Sequence, residues 1–219
     1  MKKILFTVAS CLLFHGVNHA QDNMQLKEIT LVGGKNFSSF IFKDSGGSKD
    51  KTLDYVMYNS FGANLSFTKR NHTIRPELLF RQAGAKSDFE GTSLSWKMNY
   101  LDLNVAYLYS VLNTRKFAIS PGVGIGAGYM LNGEQHIGEV RYSVSETQAL
   151  KRFDFGFHGL ANFKAYLNDA FTISLEYRFG MGITQIENDV NAQMSRNLYH
   201  SALLGFGILL NQKKSSRFN

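Results

Sequence analysis

Ionisable residues recur at every second position in several stretches of this 219-residue chain, and that spacing limits the chemistry they could do. Arg75 and Glu77, with Arg81 further on, keep step with one another, as do Arg152 and Asp154 with His158, and Glu176 with Arg178; Asp102 and Lys164 fall at matching positions of their own segments. In extended chain, residues two apart share a face. A carboxylate held among such groups could serve as a general acid or base, or relay protons. The same set is nearly balanced in sign and could instead pair internally, because a structural ion-pair network gathers and perturbs buried charges as a catalytic site does. The pairing is the expectation: a structural charge network of Arg75, Glu77, Arg81, Asp102, Arg152, Asp154, Lys164, Glu176 and Arg178, with no catalytic residue among them.

Other constellations are weaker. His72, His136, His158 and His200 lack metal-ligand spacing, so no metal site is expected. The serines form no nucleophile elbow. Gly122, Gly124, Gly126 and Gly128 loosely match a nucleotide fingerprint, but that fingerprint belongs in a turn opening a helix, whereas these glycines alternate along one strand face and make room for long side chains from neighbouring strands. No cofactor is expected. The only cysteine, Cys11, leaves no thiol chemistry in the mature chain once the leader is removed. Basic residues are scattered rather than striped, so no nucleic-acid partner is expected.

The elements that position these residues are strands. Phe171 to Ile183 alternates apolar odd positions with polar or glycine even ones, as a strand does when one face meets lipid and the other a lumen. Eight such segments can be traced, at roughly 26–37, 55–68, 73–83, 96–109, 117–131, 152–166, 171–183 and 198–210. Each exceeds the about 9–11 residues that cross a bilayer at barrel tilt. Connections at 68–72, 110–116 and 167–170 are short, while 38–54, 84–95, 132–150 and 184–197 are long and polar. Strict alternation of long and short puts all long loops at one end. The fold expected is all-β: an eight-stranded antiparallel up-and-down transmembrane β-barrel, whose lumen is just wide enough to be filled by side chains. Tyr55, Trp96, Tyr107, Tyr109, Tyr129, Tyr166 and Phe171 are the candidate interfacial girdle.

Residues 1–20 read as a secretory signal peptide: Lys2 and Lys3, an apolar stretch, then the Ala20-Gln21 junction. Cys11 lies inside that stretch, so lipidation is not expected. The barrel domain would be 21–210 and a short polar periplasmic tail 211–219. Losing Lys2 and Lys3 lowers the formal charge from +7 to +5. The mean hydropathy of −0.18 does not argue against membrane insertion, since the apolar residues of a barrel alternate with polar ones. Location in an outer membrane follows, with long loops extracellular and both termini periplasmic.

Gly33-Gly34-Lys35-Asn36-Phe37-Ser38-Ser39-Phe40, Tyr100-Leu101-Asp102-Leu103, Pro121-Gly122-Val123-Gly124, Phe153-Asp154-Phe155-Gly156, Tyr177 to Ile183 and Arg196-Asn197 occur in order across nearly the whole mature chain. In this series the chain resembles the PorT-like outer-membrane β-barrel family. It departs from it at Asn104, where proline is frequent, and at the end of the final strand, where Leu210 is followed by a polar tail, Asn211 to Asn219, in place of the usual strand-terminal aromatic, for which Phe206 or Phe218 are the substitutes on offer. The resemblance implies a small, non-enzymatic barrel, structural or accessory to an envelope or type IX secretion-type assembly, and carries over no functional residue. The alternatives are a barrel that binds or adheres through its extracellular loops, and a lipid-modifying enzyme. Partners expected are outer-membrane lipid and envelope or secretion-system proteins, engaged by a monomeric barrel through one of its ends. Residues 38–54, with Gly46-Gly47, and 132–150, with the apolar-flecked Ile137 to Val144, are the longest candidate surfaces.

Overall fold

The computed structural model describes residues 24–43, 52–89, 91–144, 150–187 and 194–210; the expected signal peptide and tail lie outside them. The strands are β1 (Gln25–Lys43), β2 (Val56–Lys69), β3 (His72–Phe89), β4 (Thr92–Tyr109), β5 (Leu112–Asn113), β6 (Phe117–Ile137), β7 (Val140–Ser143), β8 (Phe153–Tyr166), β9 (Phe171–Gly182) and β10 (Met194–Leu209). Eight of them form the wall. The antiparallel order β4-β3-β2-β1-β10-β9-β8-β6 closes on itself through a β4–β6 pairing, while β5 and β7 only add short hairpins to β6. The first and last strands are zipped along sixteen consecutive register pairs, from Glu28↔Leu209 to Lys43↔Met194.

Register fixes the tilt. Stepping from partner to partner around the wall, Thr172, Gly207, Thr30, Asn64, Glu77, Asn104, Gly126, Gly156 and Gly182 follow one another, so a full circuit returns to β9 ten residues along the strand. Eight strands at this stagger enclose a lumen that side chains can fill.

Burial alternates as the period of two requires. Along β9 every odd residue from Phe171 to Phe179 is exposed and every even one from Thr172 to Gly182 is buried. Leu101, Leu103, Val105, Tyr107 and Tyr109 point outward on β4. On five strands a hydrogen-bonded polar line crosses the outer face, with Phe37, Met57 and Tyr55 still exposed beyond it on the β1–β2 side. Lys35 Nζ donates to Asn59 Oδ1 (2.8 Å), the Asn59 N–H to Gln82 Oε1 (3.4 Å), Gln82 Nε2 to Asn99 Oδ1 (3.0 Å), and Asn99 Nδ2 to Asn132 Oδ1 (2.5 Å).

The strands outrun the apolar alternation. Residues 84–95, expected as a loop, continue β3 to Phe89 and begin β4 at Thr92, with the turn at Gly91 in the left-handed region (φ 78°). Residues 38–43 extend β1, 132–137 extend β6, whose residues 134–137 pair with β7 through a turn at Gly138 (φ 57°), and 194–197 open β10. The reason is solvent. Beyond the polar line on β3 and β4 the outward positions include Lys86, Asp88, Ser93, Ser95 and Lys97, so the sequence there stops looking like a lipid-facing strand while the backbone ladder persists. At the other end Arg70 takes the left-handed conformation (φ 52°) in the tight turn between β2 and β3.

An apolar plug closes the long-loop end. Phe40, Ala83, Ala85, Met98, Tyr100, Met130, Val144 and Ile186 are all buried there, with Phe42, Leu53, Trp96 and Leu150 packed against them. Trp96 therefore packs inward, 6.0 Å from Phe40 between ring centroids, and is not a girdle residue. At the short-turn end Tyr107 stays outside, its hydroxyl 2.7 Å from His72 Nδ1, whereas Tyr166 lines the lumen mouth.

Tight coiling leaves some wall positions without room for a methyl group. A Cβ on Gly62 would run into the Leu78 carbonyl oxygen and lie 2.8 Å from the Leu79 Cα, backbone that no rotamer change can clear; one on Gly159 would meet nothing within 4 Å. Gly62→Ala should cost about 1–3 kcal/mol as an overpacking change. Gly159→Ala should be neutral or slightly stabilising, since alanine has less freedom to lose in a strand. Urea unfolding of both variants in lipid vesicles, followed by gel mobility, checks the contrast; equal midpoints would contradict it.

Candidate functional site

The centre of the lumen holds two arginines and two glutamates contributed by β3 and β9, which stand four strands apart whichever way the wall is followed. Arg178 donates from Nη1 to Glu77 Oε1 (2.7 Å) and from Nη2 to Glu77 Oε2 (3.0 Å), crossing the barrel with a two-pronged contact. Its Nη2 also reaches Glu176 Oε1 on its own strand (2.6 Å). Arg75 Nη2 closes the figure by donating to Glu176 Oε2 (2.6 Å), again across the lumen. Asn104 and Asn162 add amide donors, to Glu77 Oε1 (3.1 Å) and Glu176 Oε2 (3.2 Å). All four charged groups are almost completely buried. Such a cluster is tolerable because each carboxylate is paired and hydrogen-bonded on both oxygens.

A second network lies nearer the plug. Arg81 donates to Asp102 through Nε (2.5 Å) and Nη2 (3.3 Å), and Nη2 stands 3.8 Å from Asp154 Oδ2. Asp154 accepts from Thr184 Oγ1 (3.1 Å) and Asn197 Nδ2 (2.7 Å). The Arg81 guanidinium lies between the Tyr100 and Tyr199 rings, 4.8 and 4.9 Å from their centroids, a cation–π arrangement that helps hold a buried cation. Toward the short-turn end Lys164 pairs with Glu28, which also accepts from Thr172 Oγ1.

The strand-face glycines of β6 give these groups their space. A Cβ on Gly124 would strike His158 Nε2, one on Gly126 would strike Asn104 Oδ1, and one on Gly128 would come within 2.5 Å of Asp102 Oδ1.

Of the nine residues expected in the lumen network, the structure brings Arg75, Glu77, Arg81, Asp102, Asp154, Lys164, Glu176 and Arg178 together inside the barrel. Arg152 is not among them. It is exposed, and its Nη1 donates to the Tyr129 hydroxyl (3.1 Å) at the rim. The inward parity fails there because residue 152 sits in a bend just before β8 begins at Phe153. Sequence reading missed Glu28, because a bulge between Leu26 and Glu28 interrupts the alternation at Lys27. His158 points inward, buried, with Nε2 unpartnered among the described residues.

Chemically the arrangement can lock the wall together. Beside the Arg81 network only about 20 Å³ is open, and beside Arg75 and Glu176 about 10 Å³. That is room for a water molecule and no more. Toward the short-turn end the lumen opens into a polar vestibule of about 460 Å³. Among the described residues no group of three or more His, Cys, Asp or Glu side chains could hold a metal ion.

Comparison with solved structures finds several small barrels. Neisserial surface protein A has 10% identity, covering 83% of this chain and 97% of that one, with a TM-score of 0.45. The outer membrane protein OprG from Pseudomonas aeruginosa has 13% identity over 86% and 98%, TM-score 0.45. The N-terminal β-barrel domain of Pseudomonas aeruginosa OprF has 10% identity over 86% and 100%, TM-score 0.44. No curated protein matches the chain. A family model described as outer membrane protein beta-barrel domain matches residues 19–214, in keeping with the closed eight-strand wall, and the chain belongs to that family.

Proposed function

We propose that this protein is a non-enzymatic, non-conducting integral barrel of the PorT-like kind, structural or accessory to an envelope or type IX secretion-type assembly. In this reading residues 1–20 are removed on export, 21–210 form the barrel, 211–219 form a periplasmic tail, the long loops face outward and the tight turns face the periplasm. The observation that carries it is the filled lumen: among the described residues a cross-barrel ion lattice occupies the middle and an apolar plug lies above it. With the outer band given to lipid and the interior to packing, only the two ends remain for a partner.

Reconstituted into planar bilayers, the protein should show no stable conductance, and small polar solutes should not equilibrate into vesicles that carry it. Reproducible channel events of uniform size would make it a narrow pore and overturn the reading. On the proposed reading, photo-crosslinking from the short turns in intact envelopes should recover envelope proteins.

One observation favours the second reading, binding through the loop end. The β3–β4 hairpin carries its ladder past the polar line to Phe89 and Thr92, presenting Lys86, Asp88 and Lys97 on a rigid strand pair. The long segments cannot simply be cut back to test this, since they supply Phe40, Leu53, Val144 and Leu150 to the plug. Charge reversal at Lys86 and Lys97 tests it while leaving the plug intact.

A further inference from the structure

The vestibule at the short-turn end is a basic cavity built around a buried guanidinium that is only partly used. Among the described residues its charged lining is Lys27, Arg70, Arg75 and Lys164, with Arg115 engaged in a contact of its own, and Glu28 is the acid. That acid is already taken up by Lys164 and Thr172. Arg75, only 5% exposed, spends Nη2 on Glu176, but its Nε has no hydrogen-bond partner among the described residues. A buried N–H left unpaired is costly, and a charged donor costs more than a neutral one. The rest of the lining is hydroxyl and amide: Thr68 and Thr73 face each other at 3.0 Å, Ser110 and Ser120 at 2.9 Å, and Asn71 and Asn113 stand at the rim.

We infer that this vestibule binds a phosphate ester carried on a small hydroxylated framework, with the anion held by Arg75 and the rim cations and the hydroxyls met by the serine, threonine and asparagine lining. Three features select this chemistry. The excess positive charge in a mouth walled by low-dielectric protein attracts an anion. The planar arginine fork matches phosphate geometry. A volume of about 460 Å³ is that of a small-molecule pocket and far exceeds what a single bare ion fills. The inference stands on the cavity alone and holds whichever way the barrel faces.

The test uses the full mature chain in detergent and in nanodiscs. Inorganic phosphate, glycerol 3-phosphate and glycerol are titrated by calorimetry, and the Arg75 Nε–H resonance is followed by NMR; nanodiscs are compared with and without phosphatidylglycerol. Arg75→Lys keeps a cation for Glu176 but removes the spare N–H, and the double variant Arg70→Ser/Arg115→Ser removes rim charge without touching the central lattice. Expected are saturable binding of glycerol 3-phosphate that weakens with salt, a shift of the Nε–H signal, and a loss of roughly tenfold in affinity in each variant. Occupancy seen with the free ester makes the source soluble, and occupancy seen only with phosphatidylglycerol makes it a lipid headgroup; both support the inference. Should Arg75→Lys fail to fold, the rim variant and the wild-type resonance decide. Absence of saturable binding in either setting, glycerol competing equally with its phosphate, or rim-variant affinity equal to wild type overturns it.

Discussion

Arg178→Met should destabilise the barrel by about 3–5 kcal/mol, the range for breaking a buried ion pair by removing one partner. The loss falls on Glu77, which would keep only the Asn104 amide, while Glu176 would retain Arg75. The double variant Glu77→Met/Arg178→Met should recover much of that loss, because no charge is then stranded in the lumen. Urea midpoints in lipid vesicles measure both. If the single variant unfolds with the wild type, the lattice does not hold the wall.

Leu175→Arg should cost about 2–4 kcal/mol, the penalty for a cation on the lipid face near the bilayer midplane. Leu175 is 51% exposed on β9 beside outward Leu204 and Phe163. Its neighbour Ser174 is buried and faces Gly205 across the β9–β10 pairing, so Ser174→Arg fails by a different route, overfilling the lumen. The two are separable by bilayer thickness. The Leu175→Arg penalty should grow as the acyl chains lengthen and Ser174→Arg should be indifferent to it; a common response would refute the two-face assignment.

What the sequence makes legible is the face each residue takes. One alternating segment, Phe171 to Ile183, is enough to say that Glu176 and Arg178 point in and that Leu175 and Tyr177 point out, because the strand period allows nothing else. Which charges meet is not legible. Arg75 and Glu176 lie 101 residues apart, and they touch because a ten-residue stagger across eight strands brings opposite walls to the same depth. Strand ends are also hidden: Lys86 and Asp88 read as loop because water, not lipid, faces them, and Arg152 reads as inward because parity cannot announce the bend before Phe153. Glu28 was masked by a single bulged residue.

The seam between the first and last strands bears on the order of folding events. Every other pairing in the wall joins segments adjacent or nearly adjacent in the chain and can form as a hairpin, but Glu28↔Leu209 to Lys43↔Met194 must be found across almost the whole sequence. Chain-closure entropy makes such distant pairing slow. Until it forms, β1 and β10 are open edges whose backbone groups would have to enter hydrocarbon unpaired, at a cost of several kcal/mol each. A half-closed sheet is therefore a poor resident of the bilayer core, and insertion and closure are bound into one cooperative step whose rate is set by how soon the two ends of the chain meet.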